Sequence, residues 1–343
     1  MGRALSALGV FSIQGGTRRV GVKVGDEVAE AAMVSTLLEG ESLAPLLSAG
    51  QNAWEEVLGN LGRALPDLPR LPLAEVEMHL PCPSGDYVDF YSSLDHATRV
   101  GRIFRPEGDP LPPSWRHLPI GYHGRSGTVV VDGTPIRRPF GQLGPAEFGP
   151  SQRIDFELEV GFITGAGPPL GEPIPVTEAE SYIFGLVLVN DWSARDIQAF
   201  EYQPLGPFLG KSFATTISPW VVPLSDLADH RIEGPEQDPS PLSYLVPSGR
   251  GLDVPVEVQI NGAVVTRSNT RFLYWTMSQQ LAHATSNGAT IRAGDLFASG
   301  TISGPTDESR GCLLEMGGPY LENGDEVMLR SDVLGSCSGR VVG

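Results

Sequence analysis

The stretch that most restricts how this chain can fold is Ile154–Val160, Ile-Asp-Phe-Glu-Leu-Glu-Val. Apolar and acidic residues alternate with a period of two. In an extended strand, Ile154, Phe156, Leu158 and Val160 share one face, and Asp155, Glu157 and Glu159 the other. Three carboxylates on one face repel each other. On a solvated edge strand, water and salt screen that repulsion and the charge discourages edge-to-edge aggregation. In a cleft, the same row requires a cation or raised carboxyl pKa values. The stretch alone leaves both readings open.

The rest of the chain reads as mainly β. Its 343 residues include 42 Gly and 30 Pro, a density of turn formers that fits many short strands better than a helical bundle. Val20, Val22 and Val24 alternate before Gly25-Asp26, a hairpin signal, and Val129–Val131 runs into a second one, Asp132-Gly133. Leu252 to Ile260 alternates strictly up to Asn261-Gly262, the strongest such signal. Tyr182 to Asn190 is a continuous apolar run, as in a buried strand, and it delivers Asp191 at its end. Gly311 to Glu315 reads as an apolar strand ending in an acid, and 327–329 as a last short strand. Helices are expected near Gln51–Leu65, where Trp54, Val57, Leu58, Leu61 and Leu65 recur at helical spacing, and over Tyr274–Asn287, closed by Gly288. A further helix begins after Ser193 as cap, with Arg195, Gln198 and Tyr202 on one face. Pro66, Pro69 and Pro72 form a linker, so residues 1–75 read as a unit separate from 76–343.

Composition excludes several classes. A net charge of −17 argues against nucleic acid as a partner, since phosphate binding needs a basic patch. Cys82, Cys312 and Cys337 lack CxxC spacing, which argues against a disulfide framework and a zinc site and fits a reducing cytosol. No apolar run is long enough to span a membrane, and the start lacks a signal-peptide core. Met-Gly-Arg-Ala-Leu-Ser6 matches the permissive myristoylation pattern by chance. The candidate ligands are Asp89, Glu157, Glu159 and Asp191. An all-oxygen set suits a hard cation, Ca²⁺ or Mg²⁺. Near Asp89 stand Tyr91, His96 and Arg105; Lys211 lies between apolar residues, either snorkelling or buried with a partner.

Longer motifs add to this. Asp89-Phe-Tyr-Ser-Ser-x-x-His96, Gly121-Tyr-His-Gly-Arg125, Asp155-Phe-Glu-Leu-Glu159, Asn190-Asp-Trp-Ser-Ala-Arg-Asp-Ile-Gln198, Glu201-Tyr-x-Pro-Leu-Gly-Pro-Phe-Leu-Gly-Lys-Ser-Phe213 and Ala298-Ser-Gly-Thr-Ile-Ser-Gly304 resemble the fumarylacetoacetase family. The resemblance runs over nearly the whole chain. It implies a small SH3-like barrel at the amino terminus (1–75), a large β-roll catalytic domain (76–343), and a homodimer, which the cysteine usage above places in the cytoplasm. It implies hydrolysis of a carbon–carbon bond in 4-fumarylacetoacetate, with acylpyruvate hydrolysis, decarboxylation or isomerisation as the alternative within the superfamily. It implies that Asp89, Glu157, Glu159 and Asp191 bind a divalent metal, and that Lys211 and Thr215, with Asp191, adjoin a second cation, magnesium. His96 would be the general base, oriented by Glu315. Arg195, Gln198 and Lys211 would stabilise the oxyanion, and Tyr91, Arg105, Gln198, Tyr202 and Thr301 would contact substrate. The segment Met316–Asp325 is much shorter than in animal members of the family.

Overall fold

The computed structural model describes residues 6–247 and 249–343. Residues 1–5 of the myristoylation-like pattern lie outside them. The protein is mainly sheet with a few helices. Among the described residues the largest sheet has thirteen strands, ten of them along one path: Arg70–Pro72, Glu27–Glu30, Arg19–Val24, Leu8–Ser12, Trp220–Pro223, Ile183–Asp191, Leu158–Thr164, Leu296–Ala298, Tyr87–Phe90 and Gly121–His123.

The expected hairpins form where glycine permits positive φ. Gly25 (φ +60°) turns Arg19–Val24 into Glu27–Glu30. Asn261 (φ +50°) and Gly262 (φ +81°) join Pro255–Ile260 to Ala263–Asn269, the pair of positive angles that a two-residue hairpin demands. That hairpin belongs to a five-stranded sheet with Glu326–Ser331, Gly335–Val342 and Ile136–Arg137. The strand Gly335–Val342 has no counterpart in the sequence reading. Asp132-Gly133 does not close a hairpin: Val129–Val131 pairs in parallel with Thr215–Ile217, and Ile136–Arg137 pairs with Gly335–Val342.

The amino-terminal unit departs from a closed barrel. Among the described residues its strands continue an open sheet, and Leu8–Ser12 joins it to Trp220–Pro223 (Leu8 opposite Val221, Gly9 opposite Trp220). The apolar stripe of the helix Gln51–Ala64 faces the same core as Phe184, Val187 and Leu296. Trp54 donates its indole N–H to the Leu46 carbonyl at 2.8 Å and meets Phe184 edge-on at 5.3 Å. Strand edges that would be bare in an isolated small barrel are thus covered by pairing and packing. The proline-rich linker contains an edge strand, Arg70–Pro72, paired with Glu27–Glu30.

Two further readings change. The alternation of Ile154–Val160 does not separate a core face from a wet face. Ile154–Asp155 and Leu158–Thr164 are two strands, and every residue from 154 to 160 is buried. Gly311 to Glu315 is not a strand: Leu313–Met316 forms a short helix ended by Gly317 at φ +84°. The helix after Ser193 runs Arg195–Glu201 with Ala194, not Ser193, at its cap, and the helix expected over Tyr274–Asn287 is shorter, Met277–Thr285, capped by Thr276.

Candidate active site

Sheet register brings the acids together. Asp191 ends the fully buried strand Ile183–Asp191 and lies opposite Thr215, which donates to its Oδ1 at 2.8 Å. Asp89 lies in register with Ala298 on one side and Tyr122 on the other. Glu157 precedes Leu158–Thr164, the strand that pairs with both Ile183–Asp191 and Leu296–Ala298, and Glu159 lies in it. Asp89, Glu157, Glu159 and Asp191 therefore converge: one carboxylate oxygen of each lies within 4.8 Å of the others, and all four residues are buried.

The surrounding groups neutralise only part of this charge. Lys211 Nζ bridges Glu157 Oε2 (2.5 Å) and Asp191 Oδ2 (2.8 Å). Arg195 Nη2 stands 2.9 Å from Glu157 Oε1 as an ion pair, and Arg195 Nε donates to Asp155 Oδ2 at 2.8 Å. Tyr122 donates to Asp89 Oδ2 (2.9 Å) and Asp191 Oδ2 (3.2 Å). Gly300 N–H donates to Glu159 Oε2 at 3.0 Å. Two oxygens, Asp89 Oδ1 and Glu159 Oε1, are buried without a hydrogen-bond partner. Buried acceptors of this kind are normally satisfied.

These contacts sort the protonation states. Burial opposes ionisation of Glu157, but Lys211, Arg195 and His96 outweigh it and hold its carboxyl well below the ordinary range. Burial, and then the Asp191 charge, push Asp89 well above it; burial, and then Asp89, Glu157 and Asp191, do the same to Glu159. Burial alone would discharge Lys211, yet Asp191 and Glu157 raise its pKa, so it remains an ammonium. Two carboxyls that resist ionisation, each with a bare oxygen, beside Glu157, which is held ionised, and the oxygens of Asp191 form a donor set suited to a hard divalent cation. Lys211 does not ligate through Nζ, because an ammonium has no lone pair. It can reach an ion only through its backbone carbonyl.

The second centre is His96. It lies in the first turn of the helix Leu94–Phe104, capped by Ser93. His96 Nδ1 is 2.6 Å from Glu315 Oε1. That carboxylate also accepts from Ser303 (2.6 Å) and, through Oε2, from Arg99 (3.1 Å). Bound at Nδ1, the imidazole has Nε2 available.

The other expected site residues make contacts of their own. Gln198 Oε1 accepts from Arg195 Nη1 at 3.1 Å, which leaves its amide N–H₂ as a donor. Tyr91 meets the His96 ring edge-on at 5.4 Å and donates to the Ala97 carbonyl at 3.3 Å. Thr301 is buried and its hydroxyl has no hydrogen-bond partner. Tyr202 packs on Phe104, ring centres 5.6 Å apart. Arg105 is not brought onto the cluster: its guanidinium donates to the carbonyls of Asp109 and Pro110. Sequence reasoning missed Tyr122, Asp155, Arg99 and Ser303. Tyr122 lay in one of the long motifs, and Arg99 is three residues beyond His96 on one helix, a spacing that puts both on one face.

Fold and site together define a predominantly β protein with a buried carboxylate cluster and an imidazole–carboxylate pair. Residues 87–342 match the Fumarylacetoacetate (FAA) hydrolase C-terminal family. The fumarylacetoacetases of Bos taurus and Homo sapiens are each 43% identical over 394 residues, covering 97% of this chain and 94% of theirs. The chain belongs to the fumarylacetoacetase family. The solved fumarylacetoacetate hydrolase from Exiguobacterium antarcticum shares its fold, with a TM-score of 0.66 at 20% identity over 98% of this chain and 99% of that one. Among the described residues, no helix is long and apolar enough to cross a membrane.

Proposed function

We propose that this protein hydrolyses 4-fumarylacetoacetate to fumarate and acetoacetate, the last step of tyrosine and phenylalanine catabolism. The observation that carries this reading is the meeting of Asp89, Glu157, Glu159 and Asp191 at one buried point, in a fold that also pairs His96 with Glu315. Similarity to fumarylacetoacetases over almost the whole chain supports the choice of substrate.

Asp89, Glu157, Glu159 and Asp191 would hold a calcium or magnesium ion, with Asp191, Thr215 and the backbone of Lys211 adjoining a second cation. When bound, the ion supplies Lewis-acid polarisation of the two oxygens of a 1,3-dicarbonyl. The remaining work falls to the protein's own side chains. His96 Nε2 takes a proton from water as the water oxygen adds to the carbonyl carbon. Glu315 fixes the ring and stabilises the imidazolium that forms. Lys211, Arg195 and the free amide of Gln198 face the oxyanion; losing one such donor typically costs about 3 kcal/mol of barrier. Collapse breaks the carbon–carbon bond, and the electron pair leaves as the acetoacetate enolate, to which the imidazolium returns the proton. Tyr91, Tyr202 and Thr301 line the substrate, and Arg105 would swing from its carbonyl partners to pair with the terminal carboxylate.

The same reading takes residues 1–75 as an SH3-like unit, 76–343 as a catalytic β-roll, and the protein as a cytoplasmic homodimer. Three unpaired cysteines fit a reducing compartment. The exposed Phe140 and Phe148, on a hairpin beside the helix Arg195–Glu201, fit a subunit contact. The test is turnover of fumarylacetoacetate against acylpyruvates, with His96→Ala and with chelator. We expect fumarylacetoacetate to be the faster substrate and both treatments to abolish its turnover. Faster acylpyruvate turnover would overturn the substrate, and an active His96→Ala would overturn the base.

A further inference from the structure

Asp155 has no role in the assignments above, yet its carboxylate is fully buried and binds two parts of the proposed catalytic apparatus. Oδ1 accepts from the Leu313 N–H at 2.7 Å. Oδ2 accepts from the Leu314 N–H at 3.0 Å and from Arg195 Nε at 2.8 Å. Leu313 and Leu314 open the short helix that carries Glu315, the partner of His96. One side chain thus holds the start of the element that orients the base and the guanidinium that faces the oxyanion.

Neither task alone accounts for a buried carboxylate. The helix could be capped locally: Cys312 is its N-cap, extended at φ −156°, ψ 161°, and makes no side-chain cap. A Ser, Thr or Asp there would serve a first-turn N–H without burying a distant charge. Arg195 already has a carboxylate neighbour in Glu157, 2.9 Å away. What Asp155 adds is the link between the two. Its own placement is rigid, since Ile154–Asp155 pairs with Ser193–Ala194, and Arg195 N–H donates to the Arg153 carbonyl at 2.9 Å.

We propose that Asp155 is a positioning residue that locks Arg195 and the Glu315–His96 pair into one frame, so that the attacking water and the oxyanion donors stay in register. The proposal rests on the functional reading above. Asp155 touches no reacting atom; it acts through Arg195 and Glu315. Misplacement of such supported groups by about 1 Å lowers rates by about 10- to 100-fold.

The test is Asp155→Asn. Asn keeps the volume and one acceptor, but its amide nitrogen cannot accept from Arg195 Nε or Leu314 N–H. We expect kcat on fumarylacetoacetate to fall about 10- to 100-fold, with KM within about twofold and calcium-binding stoichiometry unchanged by titration calorimetry. In a double-mutant cycle, Asp155→Asn and Arg195→Gln should be non-additive: the pair should lose less than the sum of the two single losses, yet more than Arg195→Gln alone, because the Leu313 and Leu314 contacts are still disturbed. Leu313→Pro gives a second route if Asp155→Asn folds poorly. Proline suits the first helical position, its extended predecessor is compatible with it, and it removes one N–H donor to Asp155. It should lower kcat in the same direction, by about three- to tenfold at unchanged calcium stoichiometry. Wild-type kcat in either folded variant, or strict additivity with Arg195→Gln, would overturn the proposal. His96→Ala separates it from the functional reading. If that variant is inactive while Asp155→Asn is normal, only the positioning role fails; if it is active, the underlying mechanism fails.

Discussion

Glu315→Gln tests the centre of the mechanism, because the structure gives the magnitude. The Glu315 side chain is fully buried. Burial by itself would raise its carboxyl, but the His96 charge and hydrogen bonds from His96, Ser303 and Arg99 hold it at about 2, against an ordinary 4.5. At about 1.4 kcal/mol per pH unit, its surroundings favour the ionised form by about 3 kcal/mol. Only part of that comes from His96, and the coupling is reciprocal: the carboxylate stabilises the imidazolium as much as the imidazolium stabilises the carboxylate. The substituted amide keeps an acceptor for Nδ1 but loses the charge. If about half of the roughly 3 kcal/mol acts on the imidazolium formed during proton transfer, kcat falls about 10-fold. KM should hold, because Glu315 does not reach substrate. Stability supplies a second measurement. A carboxyl with a depressed folded pKa stabilises the native state above its unfolded value of 4.5, and the contribution fades as pH falls towards 2. Urea unfolding at pH 7 should therefore show the variant less stable by up to about 3 kcal/mol, the gap closing below about pH 4.5. A kcat within about twofold of wild type would refute the proposed role of the His96–Glu315 pair.

The carboxylate cluster makes two further predictions. Burial and like-charge neighbours raise the Asp89 and Glu159 carboxyls, so the ion-free protein holds protons there more tightly than ordinary carboxyls do. Calcium must expel them: affinity should rise with pH, and calorimetry in buffers of different ionisation enthalpy should show proton release, whereas release of none would contradict the raised pKa values. By the same sign, the ion-free protein should lose stability as pH rises and added calcium should restore it, as thermal melts would record. Gly300→Ala should weaken calcium binding by at least about tenfold, by titration calorimetry. Gly300 has φ +76°, and a Cβ there would meet the Phe90 carbonyl oxygen at 2.1 Å, so either the strand bearing Asp89 or the N–H donor to Glu159 must move. Unchanged affinity would show that Gly300 does not position these ligands.

Particular residues show what was legible beforehand. The helix at Gln51–Ala64 and the turns at Gly25 and Asn261-Gly262 were readable, because period and positive-φ chemistry are local. The helix at Leu313–Met316 was not readable, because the donors of its first turn are satisfied by Asp155, 158 and 159 residues away. The amino-terminal strands gave no sign that they continue into Trp220–Pro223, since that pairing depends on a partner more than two hundred residues away.

The amino-acid sequence by itself determined the family, the mainly β class and the identity of the four acids, because long motifs and alternation survive without coordinates. Only tertiary structure decided that the acids meet, that Lys211 and Tyr122 stand among them, and that Asp155 turns away towards Arg195. Each side chain's direction follows from long-range strand register and from the break between Ile154–Asp155 and Leu158–Thr164. The charge state follows in turn from that placement: burial and neighbouring charges, not residue type, separate Glu157 from Glu159.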